Sequence, residues 1–226
     1  MQGDTDLVEG HGSVGSRSLF VGGNAILRGI EDFLEECKQL AASELEASVE
    51  DLEYHQGNFQ VKGTRVGIGI FDLCSRQSGN SISVKRKKEL TGRSWPNGCH
   101  VAEVEIDAET GEVRLDRYVS VDDVGNTVNP MIVHGQVQGG IASGLGQAVL
   151  ERTEYDASGQ LLSGSYMDYA LPRADDMPSL SGSLFEKAPC LTNPLGAKGT
   201  GEIGAVAGPP ATVSYTHLTL PTTSKV

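Results

Sequence analysis

Asn193 to Pro210 reads NPLGAKGTGEIGAVAGPP, and the rest of the chain is best read outward from it. The stretch is dense in glycine, carries prolines at 194, 209 and 210, and holds one acid, Glu202. Glycines let backbone turn through positive φ and approach a ligand with no Cβ in the way. Successive exposed N–H groups can form an anion-binding nest. On those terms the stretch predicts a loop that cradles a ligand, with Glu202 held against it in a dry, buried setting. A Gly/Pro-rich surface loop with a solvated glutamate accounts for the same composition. The residues alone leave both readings open.

Gly199-Thr200-Gly201-Glu202-Ile203-Gly204 also matches G-x-G-x-x-G. As a dinucleotide fingerprint that motif needs a strand before it, a helix after it and an acid about 20 residues on. Thr192 to Gly196 does not read as a buried strand, and no Asp or Glu follows Glu202 in the sequence. An NAD-binding oxidoreductase is therefore the most distant alternative.

Composition narrows the function classes. The chain has 226 residues, 38% of them hydrophobic and 5% aromatic, with 29 glycines. That is enough for one large or two small domains with aliphatic, backbone-close packing. A net charge of −12 repels phosphate backbones and anionic lipid, so neither nucleic acid nor membrane is an expected partner. The basic run Lys85-Arg86-Lys87-Lys88 reads as a solvated loop. No segment approaches the ~18 apolar residues of a membrane span, and the acidic N-terminus does not read as a signal peptide. Cys37, Cys74, Cys99 and Cys190 show no C-x-x-C spacing, and His11, His55, His100, His134 and His217 no H-x-x-x-H. This predicts free thiols in a cytoplasmic, reducing compartment and no metal site built from protein ligands. No G-x-S-x-G elbow is present.

Along the chain, residues 1–23 read as a long polar loop. Asn24 to Ala47 reads as a helix, N-capped by Asn24, with Ile26, Ile30, Phe33, Cys37, Leu40 and Ala41 on one face. A hairpin turns at Gln56-Gly57-Asn58, and a short strand is expected at Val66 to Phe71. Two strands from His100 place Ala102, Val104 and Ile106 on one face, then Val113, Leu115, Val119 and Val121 on a face of the return strand. Asn129-Pro130 starts a helix through Val133, Val137, Ile141, Leu145 and Val149. Gly135, Gly139, Gly140, Gly144 and Gly146 each cost this helix about 0.5–1 kcal/mol relative to alanine. A close neighbouring backbone or a bulky cofactor would account for them, and Gln136, Gln138 and Gln147 could serve a planar heterocycle or lie in solvent. A second hairpin is expected over Val149–Tyr155 and Gln160–Leu162, irregular chain over 167–176, and a short strand at Leu184-Phe185-Glu186.

Five stretches, in order, resemble the molybdenum-binding large subunit of the xanthine dehydrogenase / aldehyde oxidase / carbon monoxide dehydrogenase family. They are GDTDLVEGHGSVGSRS (3–18), PNGCHVAEVEIDAETGEV (96–113), VDDVGNTVNPMIVHGQVQGGIASGLGQAVLE (121–151), GSYMDYALPRADDMP (164–178) and NPLGAKGTGEIGAVAGPPA (193–211). The resemblance implies a fold class of α+β, mixed small sheets with packed helices, forming the C-terminal molybdopterin-binding domain of a molybdenum hydroxylase over residues 1–213. It implies a molybdenum–molybdopterin cofactor, often extended by cytosine dinucleotide in bacteria, with the protein supplying almost no metal ligand. It implies iron–sulfur and FAD groups on partner domains or subunits. The reaction implied is hydroxylation of an electron-poor carbon, on an aldehyde, a heteroaromatic ring or CO, with oxygen from water.

By position, Glu202 in GTGEIG matches the family's catalytic glutamate and would act as general base. Gln136 in HGQVQGG matches a glutamine at the cofactor. Ser13, Ser16 and Arg17 fall in a segment that contacts the pterin side, with Ser13 where the family has threonine, and Gly199 and Gly201 lie in the G-x-G-E motif itself. Family subunits are much longer, so the chain is expected to be a fragment that is inactive alone. Residues 63–95 are shorter and more basic than the family's linker. From Ser214 the text SYTHLTLPTTSKV resembles nothing in the family and predicts a foreign or disordered tail over 214–226. A non-catalytic scaffold that docks to partner subunits is the alternative of a different class.

Overall fold

A computed structural model describes residues 12–85 and 92–223, with side chains described as far as Val213. His11 and the basic residues Arg86 to Lys88 lie outside the described residues. The chain divides into two compact units, Val21–Leu90 and Met1–Phe20 with Thr91–Val226.

A π-helical turn at Ser18–Gly23 runs directly into α1 (Asn24–Glu44) of the smaller unit. Gly23 already has helical φ/ψ, so Asn24 is a buried helical residue and not the expected cap. β1 (Leu52–His55) and β2 (Asn58–Val61) form the expected hairpin, turning at Gln56 and Gly57, both at positive φ. β3 (Gly67–Gly69) extends the sheet and passes at once into α2 (Ile70–Arg76), so the strand expected to reach Phe71 stops short. Cys37, Ala41, Ala42, Leu52, Phe59, Ile68 and Leu73 make the core. Only the second half of the α1 stripe lies over this sheet, and Ile26 and Ile30 are exposed.

The larger unit is built on a second three-stranded sheet. β4 (Asn97–Ile106) and β5 (Val113–Asp123) pair antiparallel, and β6 (Leu180–Leu184) runs parallel to β5. A parallel neighbour requires a crossover, supplied by α3 (Pro130–Val149) and irregular chain in which the expected second hairpin is reduced to the Tyr155–Leu161 bridge and its flanking bonds, Asp156 N–H to Gln160 O and Leu162 N–H to Glu154 O. β6 begins four residues before the expected strand. The Asn129 side chain accepts the Ile132 N–H at 3.2 Å with Pro130 behind it, so α3 starts as its sequence predicts. Val133, Val137, Ile141 and Leu145 are buried, but Val149 is not.

The Asn193–Pro210 stretch is not all loop. From Ile203 it becomes α4 (Ile203–Thr223), although Pro209 and Pro210 remove two helical donors. α4 packs along α3, and the glycines are the reason. A Cβ at Gly204 would run into Val137 O and Ile141 N. One at Gly140 would lie 2.9 Å from Ala205 N, and one at Gly144 2.8 Å from Pro209 Cδ. The glycines of α3 therefore admit another backbone at 140 and 144, while Gly135 and Gly139 face open space. The α4 backbone remains helical through Thr223, where the sequence predicts no helical continuation. Extending an existing helix costs far less than starting one.

Candidate functional site

β5 carries one residue more than β4 can pair. Glu103 pairs with Arg117 and Val104 with Leu115, which leaves Asp116 as a bulge. An extra residue inverts the alternation beyond it. Val113 and Leu115 point inward, but past the bulge Val119 and Val121 are exposed, contrary to the expected face. The inward side is polar instead: Tyr118, Ser120 and Asp122, all buried.

These three residues hold His100 of β4. Its Nδ1 lies 2.9 Å from the Tyr118 hydroxyl and its Nε2 2.8 Å from Asp122 Oδ1. Ser120 donates to Asp122 Oδ2 at 2.9 Å. Burial, then the Asp122 charge, pushes the Tyr118 phenol up to about 12, so it stays protonated and can donate to Nδ1. Assigning the imidazole proton to Nε2 then lets His100 donate to Asp122 and satisfies every group in the set.

Beyond Asp122 the end of β5 is joined to residues 195–198. Lys198 N–H donates to Val124 O at 2.8 Å, Asn126 N–H to Gly196 O at 2.9 Å, and the Asn126 amide to Leu195 O at 2.9 Å. Gly125 and Gly196 are both at positive φ; a Cβ at Gly125 would run into Gly196 O, and one at Gly196 into the Asn126 amide. Lys198 Nζ reaches Asp123 Oδ2 at 2.6 Å.

This join delivers Gly199 to Gly201 against Ser16. A Cβ at Gly199 would sit 2.7 Å from Ser16 Cβ. One at Gly201 would sit 3.2 Å from Ser16 Oγ and 3.6 Å from Gln136 Oε1. Three distant stretches thus meet: the Ser16 loop, Gln136 on α3, and the 199–202 segment. Two cavities open on either side of the Ser16–Gly199 contact. One, of about 590 Å³, is bordered by Ser13, Ser16, Asn129, Gln136, Gly199 and Gly201, with Val128 and Ile132 as apolar wall. The other, of about 520 Å³, is bordered by Ser16, Trp95, His100, Gly199, Glu202 and Val206.

Of the residues expected at the site, Ser13, Ser16, Gln136, Gly199, Gly201 and Glu202 come together. Arg17 borders neither cavity, and its guanidinium donates to Gly12 O, with Nε at 3.1 Å. The Ser13 and Ser18 hydroxyls contact each other. Glu202 is exposed at the cavity mouth rather than buried. The segment before the G-x-G-x-x-G match forms only an isolated bridge, Gly125–Ala197, so the strand that a dinucleotide fold requires there is missing. Sequence reasoning missed His100 and Lys198. The alternation Tyr118, Ser120, Asp122 was the available signal for the first.

Among the described residues no group of three or more His, Cys, Asp and Glu is placed to hold a metal ion. The 590 Å³ cavity offers hydroxyls, carboxamides and glycine backbone beside apolar wall, with its one lysine neutralised by Asp123. That donor set suits a flat, polar heterocycle.

The molybdopterin cofactor-binding domain family matches residues 1–178. The chain is 33% identical over 223 residues to the 6-hydroxypseudooxynicotine dehydrogenase complex subunit gamma of Paenarthrobacter nicotinovorans, covering 93% of this chain and 28% of that protein. It is 32% identical to the carbon monoxide dehydrogenase large chain of Hydrogenophaga pseudoflava, covering 99% and 30%. A crystal structure of the Cu,Mo-CO dehydrogenase superposes with a TM-score of 0.79 at 29% identity, covering 96% of this chain and 29% of that one. The chain spans about three-tenths of the length of these relatives.

Proposed function

Since the chain belongs to the molybdopterin cofactor-binding family of molybdenum hydroxylases, we propose that it is the C-terminal part of a catalytic large subunit that hydroxylates an electron-poor carbon, on an aldehyde, a heteroaromatic ring or CO, using water. The observation that carries this reading is the convergence of Ser16, Gln136, Gly199, Gly201 and Glu202 from three separate stretches onto two adjoining cavities.

Ser13, Ser16 and the Gln136 carboxamide would hold the pterin in the 590 Å³ cavity, and Gly199 and Gly201 fit there because a Cβ would crowd Ser16. When bound, the molybdenum–pterin group supplies the redox centre that accepts the electron pair from the substrate carbon. Glu202 sits at the mouth of the neighbouring cavity, where its carboxylate oxygen can take the proton from the attacking water-derived oxygen. Replacing a carbon-bound hydrogen by hydroxyl from water, or oxidising CO to CO2 with water, releases two electrons and two protons. The electrons would leave through iron–sulfur and FAD groups on partner domains or subunits. Val206, Ile203 and Trp95 give the Glu202 cavity an apolar wall.

Turnover of the assembled enzyme in isotopically labelled water tests the reading. Label is expected in the product oxygen. Product oxygen drawn from dioxygen, or no turnover with a full complement of molybdenum, would overturn it.

A further inference from the structure

Lys198 and Asp123 are 9% and 13% exposed. The Arg–carboxylate pairs among the described residues lie on much more exposed side chains. Surface pairs contribute little. A buried pair must offset desolvation of both ions, and its best-attested use is to enforce one register. The geometry here suits that use. Asp123 also accepts the Gly125 N–H at 3.0 Å, and Lys198 N–H is bonded to Val124 O, so both ions are tied into β5 and its continuation. A one-residue slip of the 196–201 segment would bury two unpaired charges. Lys198 is also the last residue of the segment joined to the end of β5 before Gly199 enters its contact with Ser16.

We infer that the Lys198–Asp123 ion pair is a positioning device for Glu202, locking the register of Gly199 to Gly201 so that the carboxylate four residues on faces its cavity. The inference rests on the reading of Glu202 as the proton acceptor, but its test reads position and not chemistry.

Hydrogen exchange by mass spectrometry on this chain supplies that test, with Lys198→Met, Asp123→Asn and Lys198→Arg. Removing one partner of a buried pair should speed exchange at the hydrogen-bonded amides of Gly196, Lys198 and Asn126, which carry the segment into Gly199, on the order of 10²-fold in the first two variants. Exchange in β4, β5 and α3 should stay at wild-type rates, and Lys198→Arg, which keeps the charge, should restore most of the protection. Wild-type exchange at Gly196, Lys198 and Asn126 in the neutral variants would overturn the inference. So would loosening spread equally over β5 and α3, or a neutral variant that fails to fold, since the pair would then hold the whole unit and not the segment. A local loosening as expected, alongside full turnover of a Glu202→Gln enzyme, would keep the device and discard the proton-acceptor reading.

Discussion

Asp123 is pulled in two directions. Burial raises its carboxyl, but the Lys198 hydrogen bond, the Gly125 N–H and the Lys198 charge outweigh it, so the group lies below its ordinary value. A folded-state value below the unfolded one contributes stability that is present above the unfolded pKa and lost as pH falls through the folded one. With an unfolded value of about 3.9, the loss falls in the acid range below about pH 4. Asp107 and Asp156 are also lowered, by hydrogen bonds within their own turns, and add to the same acid slope. The difference between proteins is therefore the readout. The thermal midpoint of the wild type should fall more steeply on acidification than that of Asp123→Asn. Parallel curves would show that the pair does not couple to stability. None of this was legible in the sequence. Lys198 and Asp123 are 75 positions apart, and such a pair leaves no local pattern. Glu202, Gln136 and Ser16 were legible, because each sits in a short motif whose order along the chain is itself informative.

The elements differ in how openly their residues announce them. α3 was legible from end to end, since Asn129-Pro130 caps it and its buried residues recur at three- and four-residue steps. α4 was hidden, because glycine and proline argue against a helix locally while contact with α3 decides in favour of one. The two kinds of glycine on α3 and α4 can be separated by experiment. Gly139→Ala, where a Cβ meets nothing within 4 Å, should stabilise this chain by about 0.5–1 kcal/mol in denaturant unfolding. Gly204→Ala, driven against Val137 and Ile141 backbone, should cost about 1–3 kcal/mol. Equal effects would mean that the helices do not pack through these positions. The inward face of β5 was legible only as far as Leu115, since a bulge is a property of two paired strands and not of one. Deleting Asp116 should restore simple alternation, turn Tyr118, Ser120 and Asp122 outward and abolish cooperative unfolding of the hairpin, as read by near-ultraviolet circular dichroism. Retained cooperativity would contradict the bulge.

Over the whole molecule, two cores form from a chain low in aromatics, each a small sheet covered by helices. Among the described residues no helix is long and apolar enough to cross a membrane. We propose that the residues from Ser214 add nothing to the larger core, and a chain ending at Val213 should melt at the wild-type temperature. A lower midpoint would assign them to the domain. The account as a whole turns on Glu202, exposed here at the mouth of a cavity next to the proposed cofactor cradle. Glu202→Gln keeps the shape and removes the proton acceptor. The deciding measurement is turnover per bound molybdenum in the assembled enzyme. It should fall at least ~100-fold with molybdenum content unchanged, whereas near-wild-type turnover at full molybdenum content would contradict the account.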